Sequence, residues 1–129
     1  VFVYTLPQSF SHILRSTLVV AQRGRLYAEV TGEIVFPDAH RLAVYERLTW
    51  DMGALIIEGY SYEVWRGSDK LYWYDSQPHP DDPALASTDP HHKHVRPDIK
   101  RHRIPAAGLS YSEPNLPHII GEICSLLRD

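Results

Sequence analysis

The chain has 129 residues, 43% of them hydrophobic and 22% charged, with a formal net charge of −3. That length suits a single domain over residues 1–129 with a modest core, and the composition excludes wholesale disorder. So small a charge names no partner by itself, but 8 histidines stand behind it. Protonating half of them would make the molecule slightly basic, so its charge should change sign near pH 6.

One cysteine, Cys124, excludes an intrachain disulfide and a thiolate metal cluster. Its neighbours Ile123, Leu126 and Leu127 mark it as a core thiol rather than a nucleophile. No run of ~18 apolar residues offers a membrane span. The start, Val1-Phe2-Val3-Tyr4, lacks the basic and apolar segments of a signal peptide, so a cytoplasmic protein is expected.

Along the chain, Pro7 and the face formed by Phe10, Ile13 and Leu14 predict a short helix from about Gln8 to Arg15. The period then changes to two. Ser16 to Gln22 reads as a strand before the Gln22-Arg23-Gly24-Arg25 turn. Leu26, Ala28, Val30, Ile34 and Phe36 alternate with Tyr27, Glu29, Thr31, Glu33 and Val35 as a second, half-buried strand. A turn at Pro37-Asp38-Ala39-His40 leads into the row Leu42, Val44, Leu48 and Trp50. Asp51-Met52-Gly53 opens a long strand, roughly Leu55 to Trp65, and Arg66-Gly67-Ser68-Asp69 returns the chain through Leu71 to Asp75. Connections this short demand antiparallel pairing.

Residues 76–98 differ in kind: prolines, aspartates and no sustained period predict a long irregular loop, the sort that is often functional. Ile99 to Ile104 can return to the sheet. Leu116, Ile119, Ile120, Ile123 and Leu127 then recur at helical spacing behind Pro114-Asn115. The predicted fold is α+β: an antiparallel meander of about five to six strands, a short N-terminal helix, and a C-terminal helix packed on one face.

The loop carries the chemistry-bearing residues. His79, His91, His92 and His94 fall within it, and His102 follows. A metal site is one reading, but only alternate histidines such as His92 and His94 share a strand face, and a third ligand from His79 or Asp75 is required. General acid–base chemistry beside a phosphate is another, since histidine suits both proton transfers. From Lys93 to Arg103 five basic side chains (Lys93, Arg96, Lys100, Arg101, Arg103) face one acid, Asp98. That basic strip favours an anionic ligand, although Lys and Arg also protect solvated sheet edges. The third reading is structural, with histidines bonding backbone groups that lack ladder partners.

Glu46 stands in the apolar row of its strand, where a carboxylate must be paired, protonated or facing a cleft. It could orient a histidine or arginine of the loop, or form a salt bridge near Arg47. Tyr60 and Tyr62 share one face, as do Tyr72 and Tyr74; such ladders stabilise sheets and can also stack bases. No phosphate loop, Gly-x-Ser-x-Gly elbow or His-Glu-x-x-His is present.

The runs Tyr74-Asp75-Ser76-Gln77-Pro78-His79 and Pro90-His91-His92-Lys93-His94-Val95 resemble the signature of the TumE family, small bacterial and archaeal proteins assigned as toxins of toxin–antitoxin pairs. Gly32 to Phe36, Leu42 to Glu46, Tyr60-Ser61-Tyr62 and Glu113-Pro114-Asn115-Leu116 extend the resemblance over most of the chain. Ser76 replaces the family's usual Asn, and Pro80 its frequent second His. The resemblance implies a toxin partnered by a small helix-turn-helix antitoxin, and it favours RNA over other anions. The resulting expectation is a type II toxin acting on RNA as a metal-independent ribonuclease with no cofactor. His91, His92 and His94 would move protons or contact substrate, Lys93 and Arg96 would bind phosphate, and Glu46 and Asp75 would orient. His79, Arg101, Arg103, Tyr60 and Tyr62 would contact substrate. A non-enzymatic binding module and a histidine-ligated metal-dependent hydrolase are the alternatives. The long sheet edges would allow a homodimer.

Overall fold

The computed structural model describes residues 13–51, 53–76, 91–95, 103–105, 109–111 and 114–128. The alternating rows form one antiparallel sheet: β1 (Arg15–Ser16), β2 (Val19–Gln22), β3 (Tyr27–Val35), β4 (His40–Asp51), β5 (Ala54–Arg66), β6 (Asp69–Asp75), β7 (His92–His94) and β8 (Arg103–Pro105). The order is β1-β3-β4-β5-β6-β7-β8, with β2 beside β1 on the same edge of β3. The count exceeds expectation for two reasons. The stretch read as one strand, Ser16 to Gln22, is split in two, and His92–His94 forms a strand inside the segment read as irregular.

The split lies opposite Gly32, where the lack of a side chain admits the Thr17 backbone. The φ of Gly32 is +137°, and a Cβ there would sit 2.6 Å from the Thr17 carbonyl oxygen. Thr17 and Glu33 instead exchange bonds: the Thr17 N–H donates to the Glu33 carbonyl at 2.8 Å, and the Glu33 N–H donates to Thr17 Oγ1 at 2.9 Å. A second irregularity lies between Arg47 and Leu48, where Gly59 pairs with Arg47 and Ile57 with Leu48, leaving Glu58 as the extra residue.

The predicted N-terminal helix is not found in the described residues. Its end is extended chain: the Leu14 N–H donates to the Val35 carbonyl at 2.8 Å, and Arg15 pairs with Val35. A vacant edge of β3 offers these backbone groups partners that a helix of one or two turns could not match. Gln8 to His12 lie outside the described residues.

The closing helix α1 (Leu116–Arg128) forms as its period predicts. Leu116, Ile119, Ile120 and Ile123 are fully buried against the sheet face carrying Val30, Ile34, Leu42, Val44, Tyr62, Val64 and Tyr74. Cys124 is a buried free thiol within this core, as expected. The helix starts beside Tyr62 at mid-sheet, and its last turn places Leu126 and Leu127 in one groove with His40 and Arg66. The other end of the same face, with Leu26, Trp50 and Leu55, stays exposed. No helix among the described residues is long and apolar enough to cross a membrane.

Replacing Gly32 by Ala forces the added Cβ against the Thr17 carbonyl. The expected loss is about 1–3 kcal/mol of stability, read as a lower urea midpoint with an unchanged denaturant slope.

Candidate functional site

The β6–β7 pairing positions the histidine motif. Trp73 lies opposite His94, Tyr74 opposite Lys93, and Asp75 opposite His92. Side chains alternate along a strand, so neighbouring motif residues leave the backbone on opposite faces. Lys93 joins the helix-covered face, where its Nζ lies 3.8 Å from Glu122 Oε2 and 4.2 Å from the Tyr72 ring centroid. Glu122 also accepts a short hydrogen bond from the Tyr74 hydroxyl. His94 is buried on the other face, its ring stacked on Trp73 at 3.8 Å. The structure therefore does not gather the motif into one cluster.

His91, just before β7, lies with the core aromatics. Its Nδ1 is 2.6 Å from the Tyr60 hydroxyl. Its ring stacks parallel to Tyr60 and lies 4.5 Å from the Tyr111 ring. Tyr111 is fixed in turn, its hydroxyl donating to the Ser76 carbonyl at 3.2 Å. Ser76 Oγ accepts the Tyr60 N–H at 2.9 Å. Burial lowers the His91 pKa below the ordinary histidine value. The ring is therefore neutral at physiological pH and has one nitrogen, Nε2, outside the Tyr60 bond. Burial, reinforced by Tyr111 and Asp75, raises the Tyr60 hydroxyl far above its usual range and keeps it a neutral phenol.

Beneath this group lies Glu46, fully buried on β4. It accepts a very short hydrogen bond from the Tyr62 hydroxyl, while Oε1 has no partner among the described residues. Among the described residues its contact is thus a tyrosine, not a loop histidine or arginine. Arg47 pairs with Glu58 at 3.2 Å instead. Desolvation raises the Glu46 pKa and the Tyr62 bond only partly offsets it. Asn115 completes the unit, donating from Nδ2 to the Tyr62 oxygen at 3.2 Å and to the Ser110 carbonyl at 2.9 Å. Its Oδ1 accepts the Ser110 N–H at 2.9 Å. Tyr62 stacks on Tyr60 with centroids 4.9 Å apart, so the acid and the histidine are linked through two tyrosine rings.

The remaining predicted site residues are dispersed. Tyr60 and Tyr62 are core residues, so a base could stack on them only if their packing opened. Asp75 lines a groove of about 430 Å³ on the open face with Tyr45, Arg47, Gly59 and Ser61. Arg103 pairs with His94 in register on β8. His79, Arg96 and Arg101 lie outside the described residues. No group of three His, Cys, Asp or Glu among the described residues could hold a metal ion. Sequence reasoning missed Tyr111, which sits in an aperiodic stretch that gives no signal. It also missed the use of Asn115, although its place before the helical period marks a junction.

A family model described as Toxin TumE matches residues 4–127. The chain belongs to that toxin family, and the family implies an antitoxin partner. Searches of curated proteins and of solved structures return no match.

Tyr62→Phe strands Glu46 and one Asn115 donor, an expected loss of about 1–3 kcal/mol in urea unfolding. The pH dependence of stability separates the two titrating groups. Glu46 has a raised folded-state pKa, so its contribution is present below the ordinary value of 4.5 and is lost as pH rises through the raised one. Glu46→Gln should flatten that loss. His91 has a lowered pKa, so its contribution is present above 6.5 and lost as pH falls through the lowered value. A melting-temperature profile of wild type and Glu46→Gln checks both signs.

Proposed function

We propose that this TumE-family toxin acts on RNA as a metal-independent ribonuclease of a type II pair, with His91 as its proton-transfer group. The observation that carries the reading is the Tyr60 grip on His91: one imidazole nitrogen is committed at 2.6 Å, and partial burial keeps the ring neutral. Cleavage of RNA through its own 2′-hydroxyl needs a group to take that proton and one to protonate the leaving oxygen. With Nδ1–H donating to Tyr60, Nε2 holds a lone pair and accepts a proton. The ring is then an imidazolium, and Nε2 returns that proton to the leaving oxygen, which leaves the ring neutral again. The basic run from Lys93 to Arg103 supports a polyanionic substrate.

In this reading Glu46 is a positioning residue, acting through Tyr62 and Tyr60. Asp75, with Tyr45 and Arg47 in the open-face groove, offers polar contacts for a nucleotide. His92, His94 and Arg96 are further candidates for substrate contact. Lys93 favours the second reading, a binding module without catalysis, because Glu122 already faces its charge.

Incubating purified protein with an oligoribonucleotide, with and without EDTA, decides between them. Cleavage should survive EDTA, and His91→Ala should lower its rate by about 10²–10⁴-fold with an unchanged circular dichroism spectrum. Activity should fall on the acid side only below the ordinary histidine pKa, because the ring stays neutral to lower pH. Equal background cleavage by wild type and His91→Ala would reject catalysis, and salt-dependent RNA binding without cleavage would establish the binding module.

A further inference from the structure

The sheet's two outer edges differ in chemistry. At one side β8 (Arg103–Pro105) follows Lys100 and Arg101 and itself contains an arginine and a proline. Charges and proline are the devices that stop a sheet edge from pairing further. At the other side β2 (Val19–Gln22) reads Val-Val-Ala-Gln, and no charged residue occurs from Ser16 to Gln22. Among the described residues β2 pairs only with β3, so its outer backbone edge is open.

Both faces of that edge are apolar. Val19, 55% exposed, lies opposite Thr31 on the open face. Val20, 36% exposed, lies opposite the buried Val30 on the helix face. The Val20 side continues into a groove of about 400 Å³ with Leu26, Trp50 and Leu55, on the part of the face that α1 leaves exposed. Exposed apolar surface of this kind marks an interaction site.

We propose that β2 is a homodimer interface, two copies pairing antiparallel about a twofold axis at Val20. An open row of backbone N–H and C=O groups is a template that a further strand completes. β2 is self-complementary in the sense a twofold contact demands. Pairing it with itself sets Val19 and Val20 against apolar neighbours on both faces and brings no like charges together. At its boundary Arg23 is already paired with Glu29 at 3.5 Å. The guarded β8 edge then halts growth, so assembly closes at two chains.

Light scattering on the full chain after size-exclusion chromatography tests this. The expected mass is twice the 14.8 kDa of one chain. Val19→Lys and Val20→Lys should each raise the dissociation constant by tenfold or more with an unchanged circular dichroism spectrum. Val19 is the more exposed of the two, so its variant retains the fold if Val20→Lys does not. Leu126→Lys, at an apolar site on α1 whose exposure (42%) lies between those of Val19 and Val20, should remain dimeric. Amide hydrogen exchange over residues 19–22 should be slow in wild type and fast in Val19→Lys. A monomeric wild type, a dimer that survives both substitutions, or a dimer dissolved equally by Leu126→Lys overturns the proposal. So does a monomer whose β2 amides become protected only when a different protein is added, which would assign the edge to a heterologous partner strand.

Discussion

The hydrogen bond from Tyr62 to Glu46 is the contact on which the rest of the arrangement depends. Glu46 lies in a row otherwise filled by Leu42, Val44 and Leu48, where an unpaired carboxylate would be strongly unfavourable. Tyr62 supplies the donor and the flat surface on which Tyr60 stacks. Asn115 ties the same hydroxyl to Ser110 at the entrance to α1. A polar group at the centre of the core thus joins sheet and helix in one register, a role attested for buried polar residues elsewhere. Apolar packing would accept other rotations of α1 on the sheet; the Asn115–Tyr62 bond accepts far fewer.

From that junction the order reaches His91 through aromatic contact rather than through ion pairs. Tyr60 touches Tyr62, His91 and Tyr111, and its hydroxyl meets the imidazole. The alternation of β7 does the opposite for the residues that follow. It commits Lys93 to Glu122 and the tyrosine ladder, and His94 to Trp73. His91, Lys93 and His94 are therefore divided between the two faces of the sheet. The compact sequence motif is not a compact site, and the surroundings of His91 combine a neutral ring with a fixed nitrogen.

Much of the fold was legible in the sequence because two signals agreed wherever a core was being built. Strands β3 to β6 follow their alternation and turn residues, and α1 follows its apolar stripe, within a residue or two. What failed was local pattern in competition with tertiary pairing. Ile13 and Leu14 fit a helical face, yet the chain at Leu14 and Arg15 takes the vacant β3 edge instead. His92–His94 carries no strand signal, because three residues cannot display a period; only the neighbouring β6 edge makes it a strand. At the site, Glu46 was legible as an acid in an apolar row, but its partner was not. Val44, not Glu46, pairs with Tyr62, so the contact is diagonal, and no single-strand pattern records a diagonal. Asp75 was placed by its strand end, and Tyr111 by nothing in the sequence.

The position of His91 also has an energetic logic. β7 and β8 are three-residue strands at the guarded side of the sheet, and short outer strands open more readily than central ones. A side chain carried by such an element would wander unless anchored elsewhere. His91 is anchored to Tyr60 on β5, the longest strand, which is paired on both sides, with β4 and β6. Its ring therefore borrows the rigidity of the core while its backbone stays at the periphery, where a large ligand can reach it. Helix α1 meets Lys93 through Glu122, so a helix residue and Tyr60 hold Lys93 and His91 from the same face.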